Sequence, residues 1–246
     1  MDSQGAELTL VLIKPDALKV SLTGYILSQF SEFHAGLQFA GAKIVQVTEA
    51  LAEEHYAEHR GKPFYPSLIE YIIGHSHYAD NPDKRRVIAI VYCGVEAVSR
   101  TRQIAGPTNP HNARDSAPGT IRALGTIVPI RNAEGVVVSE RMDNLVHASA
   151  NHADAEREIK LWFQPCDIVP SMRAYAVERC DDHYYYTADG RIATGPEPES
   201  RAFLAPGNLV WSSDLEALRR LSRGEPAPCS AGAVVAKYFI NDEEEV

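Results

Sequence analysis

Three cationic side chains in this sequence have the type and setting to converge on one anion. Lys14 directly follows an apolar run over residues 8–13, Arg102 lies in a helical stretch, and Arg122 comes just after a long loop that holds Thr108 as a neutral donor. Guanidinium and ammonium groups arranged in this way bind phosphate. Neither Gly-x-x-x-x-Gly-Lys nor Gly-x-Gly-x-x-Gly occurs, so a nucleotide site would have to hold phosphates with side chains rather than a glycine-rich loop. A second constellation, His55-Tyr56-Ala57-Glu58-His59, fits His-x-x-Glu-His, the inverted zinc-peptidase pattern. On a continuous helix His55 and His59 would share a face at i and i+4, as zinc requires. Five residues with two free positions match readily by chance in a chain with nine histidines, and no third ligand is identifiable. His75 and His77 read as an exposed loop pair.

Positioning such groups requires a sheet and helices, and the sequence supplies both. Residues 8–13 read as a strand covered on both faces, ending at Lys14-Pro15-Asp16. From Thr23, helical spacing places Ile26, Leu27, Phe30 and Phe33 on one face with Gly36 as the stop. A strand over 37–47 follows, and Thr48 caps a helix carrying Leu51, His55 and His59. Pro66 suits the first turn of another helix ending at Gly74. After a polar loop over 75–86 come a strand over 87–92, a helix over 94–105 closed by Gly106, and a long loop over 107–119 with three prolines. Strands over 126–130 and 136–139 join as a hairpin through Asn132-Ala133-Glu134-Gly135, and 153–163 is helical. The order predicts an α+β sheet covered on one side by helices. Beyond Gln164 we expect a hairpin turning at Ala188-Asp189-Gly190, a capping box from Ser213 to Glu216 ahead of a helix with Leu218 and Leu221, and a last strand over 233–240.

Composition narrows the function classes. The chain has 246 residues, is 45% hydrophobic and 23% charged, and has a mean hydropathy of -0.22, which describes an ordinary soluble globular protein. The apolar run near the start is far too short to span a bilayer and no basic segment precedes it, so neither a secretory signal nor a membrane partner is expected. The net charge is -9, with four negatives at Asp242, Glu243, Glu244 and Glu245. Such a chain is a poor nucleic-acid binder, although Lys and Arg focused in a cleft still serve small anions. Cys93, Cys166, Cys180 and Cys229 show no metal-site spacing and read as thiols of a reducing cytoplasm.

Seven blocks in order raise the specificity of these readings. Ile13-Lys14-Pro15-Asp16, His55-Tyr56, Lys62-Pro63-Phe64, Thr108-Asn109-Pro110, Pro118-Gly119-Thr120-Ile121-Arg122, Asn144-Leu145-Val146-His147-Ala148-Ser149 and Glu158-Ile159-Lys160-Leu161-Trp162-Phe163 resemble nucleoside diphosphate kinases, from Glu7 to Pro165. The resemblance implies a ferredoxin-like antiparallel sheet flanked by helices over residues 1–164, with a β-rich carboxy-terminal extension of unknown role over 165–246. It also implies ping-pong transfer of a terminal phosphate from ATP or another nucleoside triphosphate to a nucleoside diphosphate.

Carried over residue by residue, His147 matches the nucleophile that becomes phosphohistidine and Glu158 the carboxylate that orients it. Ser149 accompanies the nucleophile. Lys14, Tyr56, Arg102, Thr108 and Arg122 match the phosphate-contacting set, Asn144 with Lys14 the pair at the ribose hydroxyl, and Phe64 with Leu68 the base-stacking wall. Mg²⁺ is expected to arrive with the nucleotide, because it prefers phosphate oxygens and water to protein cages. No metal ligand set on the protein and no stable nucleic-acid partner are expected; a cytoplasmic homo-oligomer is.

The sequence also departs from the pattern. Ala148 and Ala150 replace a usual Gly and an acidic residue around the nucleophile, and Ala123 follows Arg122 where Gly is usual. Insertions fall within 75–86, between Thr108 and Arg122, and between Arg122 and Asn144, where the hairpin around Gly135 has been added. Singly, Tyr56, Phe64 and Leu68 read more readily as helix-face core and Glu158 as a solvated helix charge; their joint order favours the site. The rival outside enzymology is a catalytically weak nucleotide-binding scaffold whose added hairpin and run Tyr184-Tyr185-Tyr186 meet a partner.

Overall fold

The computed structural model describes residues 6–241. The four acidic residues read as a tail lie outside the described residues.

Strand β1 (Ala6–Ile13) alternates its side chains between two apolar layers, with Leu8, Leu10 and Leu12 entering one and Val11 and Ile13 the other. Every residue from Leu8 onward is buried, as its continuous apolar run demands. Helix α1 (Pro15–Lys19) starts on Pro15, α2 spans Thr23–Gln29, and α3 (Glu32–Ala35) ends on Gly36 at φ 65°, where a left-handed cap favours glycine. The predicted single helix therefore breaks at Phe30 and Ser31. Ile26 and Phe30 are buried, but the break turns Phe33 outward to 92% exposure. Strand β2 (Gln38–Val45) leads to α4 (Glu49–His55), where Thr48 accepts a hydrogen bond from the Leu51 amide at 3.2 Å. Helix α4 stops at Tyr56 and a separate 3-10 turn carries Ala57–His59, so His55 and His59 do not share a continuous helix.

Helix α5 (Tyr65–Ile73) closes on Gly74, and strand β3 (Val87–Val95) runs three residues beyond the expected end, which delays α6 to Ala97–Ala105. The expected loop over 107–119 contains helix α7 (Pro110–Ser116). Asn109 caps it, accepting from the His111 and Asn112 amides, and Pro110 fills the first turn. Strands β4 (Thr126–Arg131) and β5 (Val137–Asp143) form the added hairpin as a separate two-stranded sheet. Strand β6 (Val146–Ala148), absent from the sequence-based order, pairs antiparallel with β1, and α8 (His152–Trp162) follows behind the cap of Asn151.

The main sheet has the order β2-β3-β1-β6, with antiparallel neighbours throughout. This is the ferredoxin-like arrangement, but helices cover both faces rather than one. α2 and α6 contribute Ile26, Phe30, Ala97 and Ala105 to one layer, while α4, α5 and α8 contribute Leu51, Ile72, Ile159 and Trp162 to the other. The two-sided apolar alternation of β1 and β3 requires that coverage.

Beyond residue 168 come short strands: β7 (Val177–Arg179), β8 (Tyr184–Tyr186), β9 (Ile192–Ala193), β10 (Arg201–Leu204) and β11 (Leu209–Trp211). Helices α9 (Ser212–Leu221) and α10 (Ala231–Val235) complete the region. The expected strand over 233–240 is α10 followed by a 3-10 turn; the Ser230 hydroxyl, capping the Ala233 amide at 3.0 Å, settles that ambiguous apolar run as helix. The capping box at Ser213 does not form, because α9 starts one residue early at Ser212 after Trp211, leaving the Ser213 hydroxyl inside the helix.

The extension has its own apolar cluster, in which Tyr184 is buried, so the tyrosine run is core at its first residue. It also joins the main core through Ile168, Trp211 and Ala236, and the Trp211 indole donates to the Phe163 carbonyl at 2.8 Å. All four cysteines are unpaired, and among the described residues no helix is long and apolar enough to cross a membrane.

Candidate active site

Lys14 leaves the end of β1 facing the loop between β5 and β6. Its amide donates to the Leu145 carbonyl at 2.9 Å, and the Leu145 amide donates to Asp16 Oδ2 at 2.9 Å. These bonds hold Leu145 at φ 69°, a left-handed conformation that a branched side chain adopts only under such constraint. The turn delivers Asn144 to Lys14, whose Nζ donates to Asn144 Oδ1 at 2.7 Å and lies 4.9 Å from the centre of the Tyr71 ring. Asn144 Nδ2 in turn donates to the Thr108 carbonyl at 2.9 Å. Burial lowers the Lys14 pKa to about 8, with Arg122 adding to the effect and Asp16 and Asp143 opposing it. Arg122 is also buried and spends its guanidinium on the Gly106 carbonyl at 2.8 Å and the Val146 carbonyl at 3.1 Å. Burial and then Arg102 lower its pKa to about 10.

Strand β6 sets His147 opposite Leu12 of β1, on the same sheet end as Lys14. His147 Nε2 is 2.9 Å from Glu158 Oε2, and the Ser149 hydroxyl donates to that oxygen at 2.6 Å while accepting from the Leu10 amide at 3.2 Å. Helix α8 carries Glu158 at its buried face. Burial alone would raise its pKa, but the His147 ring, with His55 and the Ser149 hydroxyl, outweighs burial and holds it at about 2. A carboxylate accepting from Nε2 puts the proton there, leaving Nδ1 with its lone pair and no hydrogen bond among the described residues. In the neutral ring this tautomer leaves Nδ1 open to an electrophile.

His55 packs edge-on against His147 with ring centres 4.6 Å apart. Its Nδ1 accepts from the Trp162 indole at 3.1 Å, and burial, then His147, drives its pKa well below the usual imidazole range. The neutral ring must therefore carry its proton on Nε2, which lacks a partner. His55, His147 and Glu158 are the described cluster close enough to hold a metal, yet Nε2–H offers no lone pair and Glu158 is occupied. His59 of the sequence pattern is not part of this cluster and does not share a continuous helix with His55. The expected exposed pair over 75–77 is half wrong too, since His77 is buried on Asp143 at 2.7 Å.

A cleft of roughly 310 Å³ opens over these groups. Lys14, Tyr56, Arg122, Asn144, His147 and Glu158 line its interior, and Arg102, Thr108, Phe64 and Leu68 its walls. Ser149 stands behind Glu158 rather than in the cleft. The Tyr56 hydroxyl is buried without a partner, and burial, then Glu158, raises its pKa, so it remains a protonated donor. Phe64 presents an aromatic face that is 43% exposed. The cleft gathers the residues carried over from the resemblance except Ser149, which reaches it through Glu158. It adds His55, Tyr71, and the hairpin residues Glu140, Arg141 and Met142. Only His55 lay inside a quoted block; the hairpin residues had no signal beyond belonging to an insertion. Of the departures, Ala148 is buried on β6 and Ala150 is exposed, and both border the cleft.

A family model described as nucleoside diphosphate kinase matches residues 7–168. The nucleoside diphosphate kinase of Pyrococcus furiosus is 39% identical over 168 residues, spanning 68% of this chain and 89% of that protein. Among solved structures, the Aquifex aeolicus nucleoside diphosphate kinase superposes with a TM-score of 0.53 at 33% identity, covering 67% of this chain and 100% of that one. A transition-state mimic of the Borrelia burgdorferi nucleoside-diphosphate kinase, with bound vanadate and ADP, gives a TM-score of 0.52 at 30% identity, covering 70% of this chain and 95% of that one.

Proposed function

The chain belongs to the nucleoside diphosphate kinase family and is a nucleotide-binding phosphotransferase, and on that premise we propose how its own residues perform the transfer. His147 Nδ1 attacks the terminal phosphorus of a nucleoside triphosphate such as ATP. The N–P bond forms as the bond to the bridging oxygen breaks, and the nucleoside diphosphate leaves with that oxygen's electron pair. A second diphosphate then attacks the phosphohistidine through its own terminal oxygen, returning His147 to its starting state. Glu158 keeps the Nε2 proton in place and stabilises the ring as it becomes cationic; Ser149 fixes Glu158. The observation that carries this reading is the Glu158–His147 hydrogen bond, which leaves Nδ1 as the nucleophilic nitrogen. It also favours an enzyme over a catalytically weak scaffold.

Lys14, Arg122, Arg102, the Tyr56 hydroxyl and Thr108 hold the phosphates, Asn144 with Lys14 the ribose, and Phe64 with Leu68 the base. Phosphoryl transfer depends on fixing these oxygens and their charge. The cleft's uncommitted donors are cationic or neutral and suit phosphate oxygens, while Glu158 is already engaged. Mg²⁺ therefore fits as a passenger held by the nucleotide's phosphates and water, where it neutralises charge on the transferred group. We assign residues 1–164 to the kinase domain and 165–246 to an extension that completes one of its core layers. The unpaired cysteines support a cytoplasmic setting, and Phe39 and Ile44, exposed on edge strand β2, support a homo-oligomer.

The test is to mix the protein with γ-labelled ATP and Mg²⁺ and quench in alkali. Wild type is expected to carry acid-labile phosphate that added GDP discharges as GTP. The His147→Ala variant is expected to carry none and to lose phosphotransfer by about 10⁴-fold or more. Normal turnover in that variant would overturn the assignment.

A further inference from the structure

The hairpin β4–β5 is held over the cleft by groups from elsewhere in the chain. Asp143, at the foot of β5, is buried between His77 Nε2 at 2.7 Å and Arg141, whose Nε and Nη2 reach it at 2.6 and 3.1 Å. His77 itself comes from the inserted stretch after α5. Just before β4, a Cβ at Gly125 would lie 2.5 Å from the Asp143 carbonyl oxygen, so the root tolerates no side chain there. The wall that this root supports is chemically unlike the rest of the cleft. Arg141 is neutralised by Asp143, Met142 is apolar, and Glu140 has no hydrogen bond or ion pair among the described residues. The cleft's other two carboxylates are accounted for, Glu158 on His147 and Glu58 at 3.6 Å from His59.

A free carboxylate repels phosphate, so Glu140 does not serve the end of the cleft held by Lys14, Arg102 and Arg122. β5 runs back from Asn144 away from that end, placing Glu140 up to about 13 Å along the strand. It lines the same cleft as Phe64 and Leu68, the pair assigned above to the base. A carboxylate only accepts hydrogen bonds. Guanine offers it two adjacent donors, the N1–H and the 2-amino group; adenine and cytosine offer one amino group beside an accepting ring nitrogen, and uracil a single N–H between carbonyls. We infer that Glu140 makes this enzyme prefer guanine nucleotides, reading the N1–H and 2-amino edge from the added hairpin. The inference rests on the cleft being the nucleotide site described above, and it departs from the base tolerance that stacking alone would give.

The experiment discharges the labelled phosphoenzyme separately with GDP, ADP, CDP and UDP. GDP is expected to discharge wild type about ten- to a hundredfold more efficiently than ADP, the range for hydrogen bonds to a charged group. Glu140→Ala is expected to bring that ratio near one, Glu140→Gln to an intermediate value, and Glu58→Gln to leave it intact as a control for cleft charge. Equal discharge by all four in wild type, a ratio that survives Glu140→Ala, or an equal collapse in Glu58→Gln would overturn the inference. If no phosphoenzyme forms, the assignment of His147 fails instead, and equilibrium binding of GDP against ADP to wild type and Glu140→Ala decides Glu140 by the same ratios.

Discussion

Two lysines are buried in this molecule, and their partners differ. Lys14, in the cleft, is 5% exposed and meets a neutral amide oxygen and an aromatic face. Lys237, in the extension, is 2% exposed and meets the Asp214 carboxylate at 3.0 Å and the Val234 carbonyl at 2.7 Å. Removing a charge from water is costly unless an opposite charge and hydrogen bonds offset it. Lys237 has that offset, and its role is complete in the fold. Lys14 lacks a carboxylate contact, and the depressed pKa records the shortfall. In the proposed mechanism, a phosphate that enters the cleft supplies the missing charge. A buried cation with a neutral partner thus marks the place built for a ligand, and one with a carboxylate marks structure.

The contrast can be broken at either lysine. Asp214→Asn strands Lys237 and is expected to lower stability by about 3–5 kcal/mol, read from the urea midpoint, while phosphotransfer persists in the fraction still folded. A loss of turnover matched by unchanged stability would reverse the roles given to the two lysines. Lys14→Met is expected to do the opposite, cutting kcat/KM about 10²–10³-fold, as for one preorganised donor, with the urea midpoint unchanged or raised. The smallest effect is in the pH profile. The folded pKa of Lys14, about 8, lies below its ordinary value of 10.5. Between those values the unfolded chain binds more protons, so the Lys14 contribution to stability rises with pH as the cleft loses its cation. kcat/KM is expected to fall about tenfold per pH unit above 8 in wild type, a limb that Lys14→Met should lack.

Much of the catalytic end was legible because its chemistry is carried by short, dense blocks. Lys14-Pro15-Asp16 gives a strand end, a helix start and a carboxylate for the Leu145 amide within three residues. Caps were equally readable at Thr48, Gly36 and Gly74, where one residue type answers one backbone need. Apolar pattern misled where it carried no phase. The run from Ala233 is apolar enough for either strand or helix, and only the Ser230 cap decides. α7 offers little apolar periodicity, so its Asn-Pro start stands in the sequence without a helical face to support it. Phe33 fits a helical face in sequence and loses it to a break at Phe30 that no spacing reveals. In the site, the buried His77–Asp143 and His55–Trp162 contacts join residues 66 and 107 positions apart, and no local signal encodes such pairings.

The added hairpin pairs only with itself, leaving the four-stranded sheet that carries Lys14 and His147 complete without it. Residues can be gained, lost or exchanged along β4 and β5 without shifting the register of β1 against β6. The hairpin wall of the cleft can therefore be redrawn while the sheet beneath it keeps its pairing intact.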